Sequence, residues 1–421
     1  MSDDEASLYR ALSALVSPVD TKITVRKDPI KPYVGLENIP SRGAHLVGWA
    51  IASSSISTNA IFQAGDILFG KLRPNLRKCV VAPFDGYCST DILVLRPNTG
   101  IDPSFAGKVL RTELVGAAAE MTSVGTKMPR TSWKHLSELG VFCPGFPEQS
   151  KIAQILDTLD TAIHETEAII AKLKAVKQGL LHDLLTRGID SNGELRPPQA
   201  EAPQLYKESP LGWIPKEWEI GPAATYCDRL TVGVVNTATH AYVPEGVPFI
   251  RSQNVRANQI MLEDLLHVTQ RFNREQIKSV LREGDVVIVR TGYPGTAAVI
   301  PASLDGSNCF SLVVATPQRQ RLNSSFLAQY MNAPMGQRQV SRLQFGSAQH
   351  NFNIGEMRIL PVPRAPLPEQ RAIVASVLQV DVRLTAEESW LKALRATALG
   401  VEEDLLTGRV RVTPLLEHAA S

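Results

Sequence analysis

Between residues 147 and 186, apolar side chains recur at alternating steps of four and three: Ile152, Leu156, Leu159, Ile163, Ile170, Leu173, Leu180 and Leu184. The spacing returns, shifted by 221 from Ile152 to Ile373, in Ile373, Val377, Val380, Leu384, Leu391, Leu394, Val401 and Leu405. This is the heptad pattern of a helix that packs along one seam against another helix. The two stretches align without a gap, and 13 of 40 positions are identical. Both open Pro-Glu-Gln (Pro147, Glu148, Gln149; Pro368, Glu369, Gln370) and close Asp-Leu-Leu-Thr. Proline suits the first turn of a helix, and an early glutamate suits its dipole. Neither stretch has an internal proline after its start, so each predicts one helix of roughly 60 Å at ~1.5 Å per residue. Thr166 and Glu387 interrupt the seams at the same aligned place. A polar residue there can fix register at some cost in stability. The natural partner of one helix is the other. The alternative, each helix packing into its own domain, sits poorly with helices several times the usual length.

The intervening stretches read as β-rich. Residues 61–69, 79–82 and 91–95 predict strands, residues 104–121 a helix, and residues 7–16 a short amphipathic helix. The globular stretches also repeat. Gly65-Asp66-Ile67-Leu68-Phe69 matches Gly284-Asp285-Val286-Val287-Ile288, Cys88 matches Cys309, and Gly125-Thr126 matches Gly346-Ser347. The chain is therefore one unit of about 220 residues written twice. The expected organisation is a globular domain over 1–146, a helix over 147–187, a linker over 188–204, a second globular domain over 205–366, a second helix over 367–408 and a tail over 409–421. The fold class is α+β, with two globular α/β domains, two long helices packed on each other as a coiled coil and an internal pseudo-twofold repeat.

Composition narrows the function classes. No apolar run approaches 18 residues, so no membrane span is expected. The acidic start Met1-Ser2-Asp3-Asp4-Glu5 does not read as a signal peptide, and five scattered cysteines without a Cys-x-x-Cys pair fit a reducing cytoplasm. The net charge of +2 is unevenly spread. Residues 1–146 carry 16 Lys+Arg against 13 Asp+Glu, and residues 205–366 carry 16 against 12; both helical stretches are net acidic. Mildly basic globular parts fit a polyanionic partner.

Candidate chemistry is sparse. Gly65 to Leu72 nearly spells a phosphate-binding loop, but Leu72 stands where magnesium needs Ser or Thr. The better reading is a Gly-Asp turn feeding a buried strand, whose far end delivers Lys71, Arg73, Arg77 and Lys78. The matching strand delivers Arg290 and then Tyr293. A later loop offers Lys127, Arg130 and Lys134 in the first half and Gln349, His350 and Asn351 in the second. Basic residues beside glycine-rich backbone can meet phosphate, and Arg, Gln and Asn can pair with base edges. The plain alternative for each is solvated surface charge. Asp66 and Asp285 read as turn formers. The eight histidines show no metal-ligand spacing, and no Gly-x-Ser-x-Gly occurs. No metal site and no catalytic residue are expected.

Gly-Asp-Ile-Leu, Pro-Glu-Gln-x-x-Ile and Asp-Leu-Leu-Thr, the last two each present twice, together with Leu211-Gly212-Trp213-Ile214-Pro215-Lys216-Glu217-Trp218, resemble the specificity subunit of Type I restriction–modification systems. The resemblance covers nearly the whole chain, although residues 1–32 lack the Ile-Pro-x-x-Trp phrase that opens a recognition domain, which leaves the start of the first such domain open. It implies two target recognition domains, each reading half of a bipartite DNA site. It implies two antiparallel helices that act as a ruler and dock two methyltransferase subunits, which bind S-adenosylmethionine. It implies a separate restriction subunit that uses ATP and magnesium. The chain itself is then expected to be non-catalytic and to bind no cofactor. The chain has no Asn-Pro dipeptide, and so lacks the Asn-Pro-Pro-aromatic motif of such methyltransferases. A coiled-coil scaffold whose globular ends bind other proteins is the alternative reading.

Overall fold

The computed structural model describes residues 8–24, 31–51, 58–344 and 351–417. The expectations on residues 1–7, on Gly346 and Ser347, and on Gln349 and His350 lie outside the described residues. The chain divides into two compact units, one of residues 1–169 with 387–421, the other of residues 170–386.

In the first unit an antiparallel sheet runs in the order Val16–Pro18, Ile92–Pro97, Ile67–Gly70, Cys79–Val81. Side chains alternate across a strand. Ile67 and Phe69 face a core with Phe105, Val109 and Ile152, whereas Leu68 faces another with Val34, Phe62 and Cys88. With both faces covered, the whole strand is buried and reads as an unbroken apolar run. A second sheet orders Lys22–Thr24, Thr58–Phe62, Gly86–Ser89, Pro32–Val34 and Ala50–Ile51, with Pro32–Val34 parallel to Gly86–Ser89.

The second unit repeats this plan. Its sheet runs Cys227–Val232, Leu312–Pro317, Val286–Val289, Ala297–Val299. Val247–Ile250 is parallel to Asn308–Cys309, and Cys88 and Cys309 hold the same place in the two parallel pairs. Gly65 and Gly284 have φ of 86° and 85°, a backbone region that glycine enters without strain. The aspartates beside them are turn formers. Asp66 accepts from the backbone of Gln63 and pairs with Arg96; Asp285 accepts from the backbone of Arg282 and pairs with Arg229.

Two sequence expectations need amendment. The helix over 104–121 is two helices, Pro103–Arg111 and Glu113–Met121. Thr112 separates them with extended ψ of 155°, its hydroxyl donating to Val109 O and accepting from Val115 N. Its counterpart break, after Ser324–Asn332, is enforced by Pro334. The amphipathic stretch over 7–16 is a strand, Tyr9–Ala11, followed by a one-turn helix, Leu12–Leu15. Pairing with Gly140–Phe142 outcompetes helix there.

The long helices are Phe146–Thr186 and Leu367–Leu406. They run antiparallel. In the first unit Arg395 Nη2 donates to Glu167 Oε1 at 2.5 Å. In the second, Lys177 pairs with Asp381. Each core takes the start of one helix and the end of the other: Ile152 and Leu156 with Leu405 in the first unit, Ile373 and Val377 with Leu184 in the second. All sixteen seam residues are buried or half-buried. Thr166, in the seam, is buried and its hydroxyl is satisfied by Ala162 O at 2.7 Å.

The Pro-Glu-Gln words form the joints. Gln149 accepts from Asp102 N and donates to Pro144 O; Gln370 accepts from Asn323 N and donates to Ala365 O. Glu148 is gripped by Arg411 at 2.8 and 2.7 Å and by Val412 N. Glu369 is gripped by Arg196 at 2.5 and 3.3 Å and by Ile189 N. Each glutamate thus meets the segment that follows the other helix. In the second unit Ile214 and Trp218, of the Leu-Gly-Trp phrase, are fully buried against this joint.

Candidate nucleic-acid interface

In the first unit the candidate strand end and the candidate loop meet. After Ile67–Gly70 the backbone of Lys71 accepts from Thr131 N at 3.0 Å, and Arg73 N donates to Pro129 O at 2.8 Å. Arg130 pairs with Val124 through two 3.0 Å backbone bonds, so residues 124–130 form a small hairpin. Gly125, at φ 113°, makes its turn. This brings Lys71, Arg73, Lys127 and Arg130 to one edge. Among the described residues the side chains of Lys71, Arg73 and Lys127 form no ion pair. Lys134 lies apart on the turn of helix Trp133–Leu136 and is exposed.

Two residues grouped with them in the sequence are engaged internally. The guanidinium of Arg77, 8% exposed, pairs with Glu113 and Glu120 and lies over Gly116. Lys78 Nζ donates to Leu36 O at 2.6 Å. Both lie past the turn Pro74–Leu76, where the chain enters the antiparallel neighbour strand Cys79–Val81, with Lys78 O accepting from Gly70 N, and not at the far end of Ile67–Gly70.

The second unit brings its candidates together in the same way. Phe352 N donates to Arg290 O at 2.9 Å, and Thr291 Oγ1 donates to Asn351 Oδ1 at 2.7 Å. Arg290 donates to Asn353 Oδ1 at 2.6 Å and to Ser311 Oγ at 3.3 Å. Tyr293, 82% exposed, projects from the loop that follows.

Sequence reasoning missed the turn between the two sheets. In the first unit it holds Asp91, whose carboxylate takes Arg130 Nε at 2.8 Å and Nη2 at 3.2 Å. Those bonds hold the Asp91 carboxyl below the usual carboxylate range. In the second unit the same turn holds Ser311, at φ 51°. The Cys88/Cys309 landmark a few residues before each was the available signal. Among the described residues no group of His, Cys, Asp and Glu suits a metal ion, and no helix is long and apolar enough to cross a membrane.

Residues 25–175 match the family model of the Type I restriction modification DNA specificity domain. Relatives similar to this chain over longer stretches are type I restriction enzyme specificity subunits. The chain is 22% identical over 366 residues to the putative type I restriction enzyme MjaX specificity subunit of Methanocaldococcus jannaschii, covering 83% of this chain and 79% of that one. It is 32% identical over 175 residues to the type I restriction enzyme EcoDI specificity subunit of Escherichia coli, covering 40% and 37%. The crystal structure of a Type I S subunit from M. genitalium shares the fold, with a TM-score of 0.59 and 14% identity over 94% of this chain and 95% of that one. A chain from a structural study of complex assembly and conformational transition in the type I R-M system gives 0.55 and 18% over 96% and 98%.

Proposed function

We propose that this chain is a specificity subunit that reads a bipartite site in double-stranded DNA, one half with each globular head. The first recognition domain occupies 1–146 and the second 205–366; the helices over 147–187 and 367–408, with the linker 188–204 and the tail 409–421, set the spacing between half-sites. The helices also dock two methyltransferase subunits, which bring S-adenosylmethionine, and the assembly recruits restriction subunits that use ATP and magnesium in the cytoplasm. The chain itself binds no cofactor.

The observation behind this reading is a recurring edge with changed chemistry. Each head joins a strand end to a loop by backbone hydrogen bonds, yet one edge offers Lys71, Arg73, Lys127 and Arg130 and the other Arg290, Tyr293 and Asn351. One scaffold with different donors and acceptors is what reading two unlike half-sites requires.

The test is to map methylated adenines in DNA exposed to the full complex carrying wild-type or Arg290→Ala subunit. The variant is expected to relax recognition in one half-site and leave the other intact. Relaxation of both halves, or of neither, overturns the assignment.

A further inference from the structure

We infer that Asp91 is a specificity-determining positioning residue, which holds Arg130 so that only the end-on edge of its guanidinium is left to read a base. The inference rests on the DNA reading proposed above. A guanidinium has five N–H donors in a fixed fork. Two of them, on Nε and Nη2, are taken by the Asp91 carboxylate. A third, on Nη1, lies 3.4 Å from Met128 O. Asp91 thus occupies the side-on edge and leaves the end-on edge, with one hydrogen each on Nη1 and Nη2, facing away from it, and that parallel pair fits O6 and N7 of guanine in the major groove.

Both partners are held by the same backbone. Asp91 O accepts from Lys71 N at 3.0 Å, and Lys71 O accepts from Thr131 N at 3.0 Å. Asp91 N is also within 3.2 Å of Ser89 Oγ, which accepts from it. The carboxylate and the arginine therefore keep one geometry before DNA arrives, so little rotamer freedom remains to be lost on binding.

The charge balance separates base reading from phosphate binding. Arg130 paired to Asp91 carries almost no net charge and gains little from a phosphate. Lys71, Arg73 and Lys127 stand beside it without an ion pair among the described residues, and they suit the backbone. In the second head the orienting groups are neutral: Ser311 and Asn353 hold Arg290. Arg290 thus keeps its full charge, and the two heads differ in how an arginine is aimed.

The test uses the full chain with its methyltransferase partners, once the methylated site is mapped. Binding is measured across a salt series to the cognate duplex, to duplexes changed at each base pair of the first half-site, and to a random duplex. Asp91→Asn frees a positive charge, so the random duplex should bind more tightly, with a log–log salt slope steeper by about one. Discrimination at one base pair should fall about fivefold or more. Arg130→Lys keeps the charge and loses the fork, so it should lose that discrimination with little change for the random duplex. The double variant Asp91→Asn/Arg130→Ala should discriminate no worse than Arg130→Ala alone. Full discrimination in Asp91→Asn, or an equal loss on all duplexes, overturns the inference and leaves the DNA reading standing. A wild-type complex with no base preference in the first half-site overturns both.

Discussion

Glu148 and Glu369 occupy equivalent positions in unequal surroundings. Arg196, opposite Glu369, is 10% exposed, whereas Arg411, opposite Glu148, is 37% exposed. Removing one member of a buried pair strands the other charge, at a cost of about 3–5 kcal/mol. Glu369→Ala should therefore destabilise the second unit by about that much. Glu148→Ala should cost the first unit clearly less, because water solvates Arg411. Denaturant unfolding followed separately in each unit checks the order; equal losses would contradict it. Glu402 is a second residue with a measurable consequence. Burial, with Asp160 adding to it, raises its pKa even though Arg111 and Lys108 oppose this. A carboxyl with a raised folded pKa favours folding below its unfolded value near 4.5, and that contribution is lost as pH rises through the folded value. Glu402→Gln should thus raise the melting temperature at pH 7 and make little difference at pH 4. No gain at neutral pH would show that the surrounding cations already compensate. The sequence marked Glu148 and Glu369 as first-turn residues, which they are. Their partners lie 263 and 173 residues away, and a distant pairing has no local signature.

At the level of elements, the long helices were legible because a seven-residue rhythm sustained over forty positions has few other causes. The buried strands were legible from the duplicated Gly-Asp turn. The split at Thr112 was not, because threonine is tolerated inside helices. It breaks this one because its hydroxyl serves as cap to the next. Arg77 misled for a related reason. A basic residue near a strand end looks the same in sequence whether it faces solvent or Glu113 and Glu120. Two predictions belong here. Removing one heptad from each long helix shortens both by roughly 10 Å, so the spacer of the recognised site should contract by about 3 bp at ~3.4 Å each. Methylation mapping that shows the original spacer would exclude the ruler. Trp218, fully buried on Phe326 at 6.3 Å between ring centroids, should cost about 3–5 kcal/mol when truncated to alanine. The loss should appear as early melting of the second unit.

The two units together account for the duplicated text. Residues 387–421 belong to the first unit, although the second head precedes them in sequence. A chain shortened to remove residues 409–421 loses Arg411 and Val412, the partners of Glu148. Hydrogen exchange should then quicken in residues 9–145 and stay unchanged in residues 219–366. Equal quickening in both would mean that the tail does not close the first unit alone. The charge imbalance between globular and helical stretches was visible in composition, but it named no edge. That edge emerged only when folding joined Lys71 to residues 129–131 and Arg290 to residues 351–353.

The Pro-Glu-Gln joints carry one more implication. Since Gln149 and Gln370 clasp equivalent backbone groups at equivalent places, the socket is standardised and its insert is not. On the proposed DNA reading, exchanging one head at these short repeated words would change one reader and leave both joints intact. Each such exchange would rewrite half of the address and leave the rest of the chain as it is.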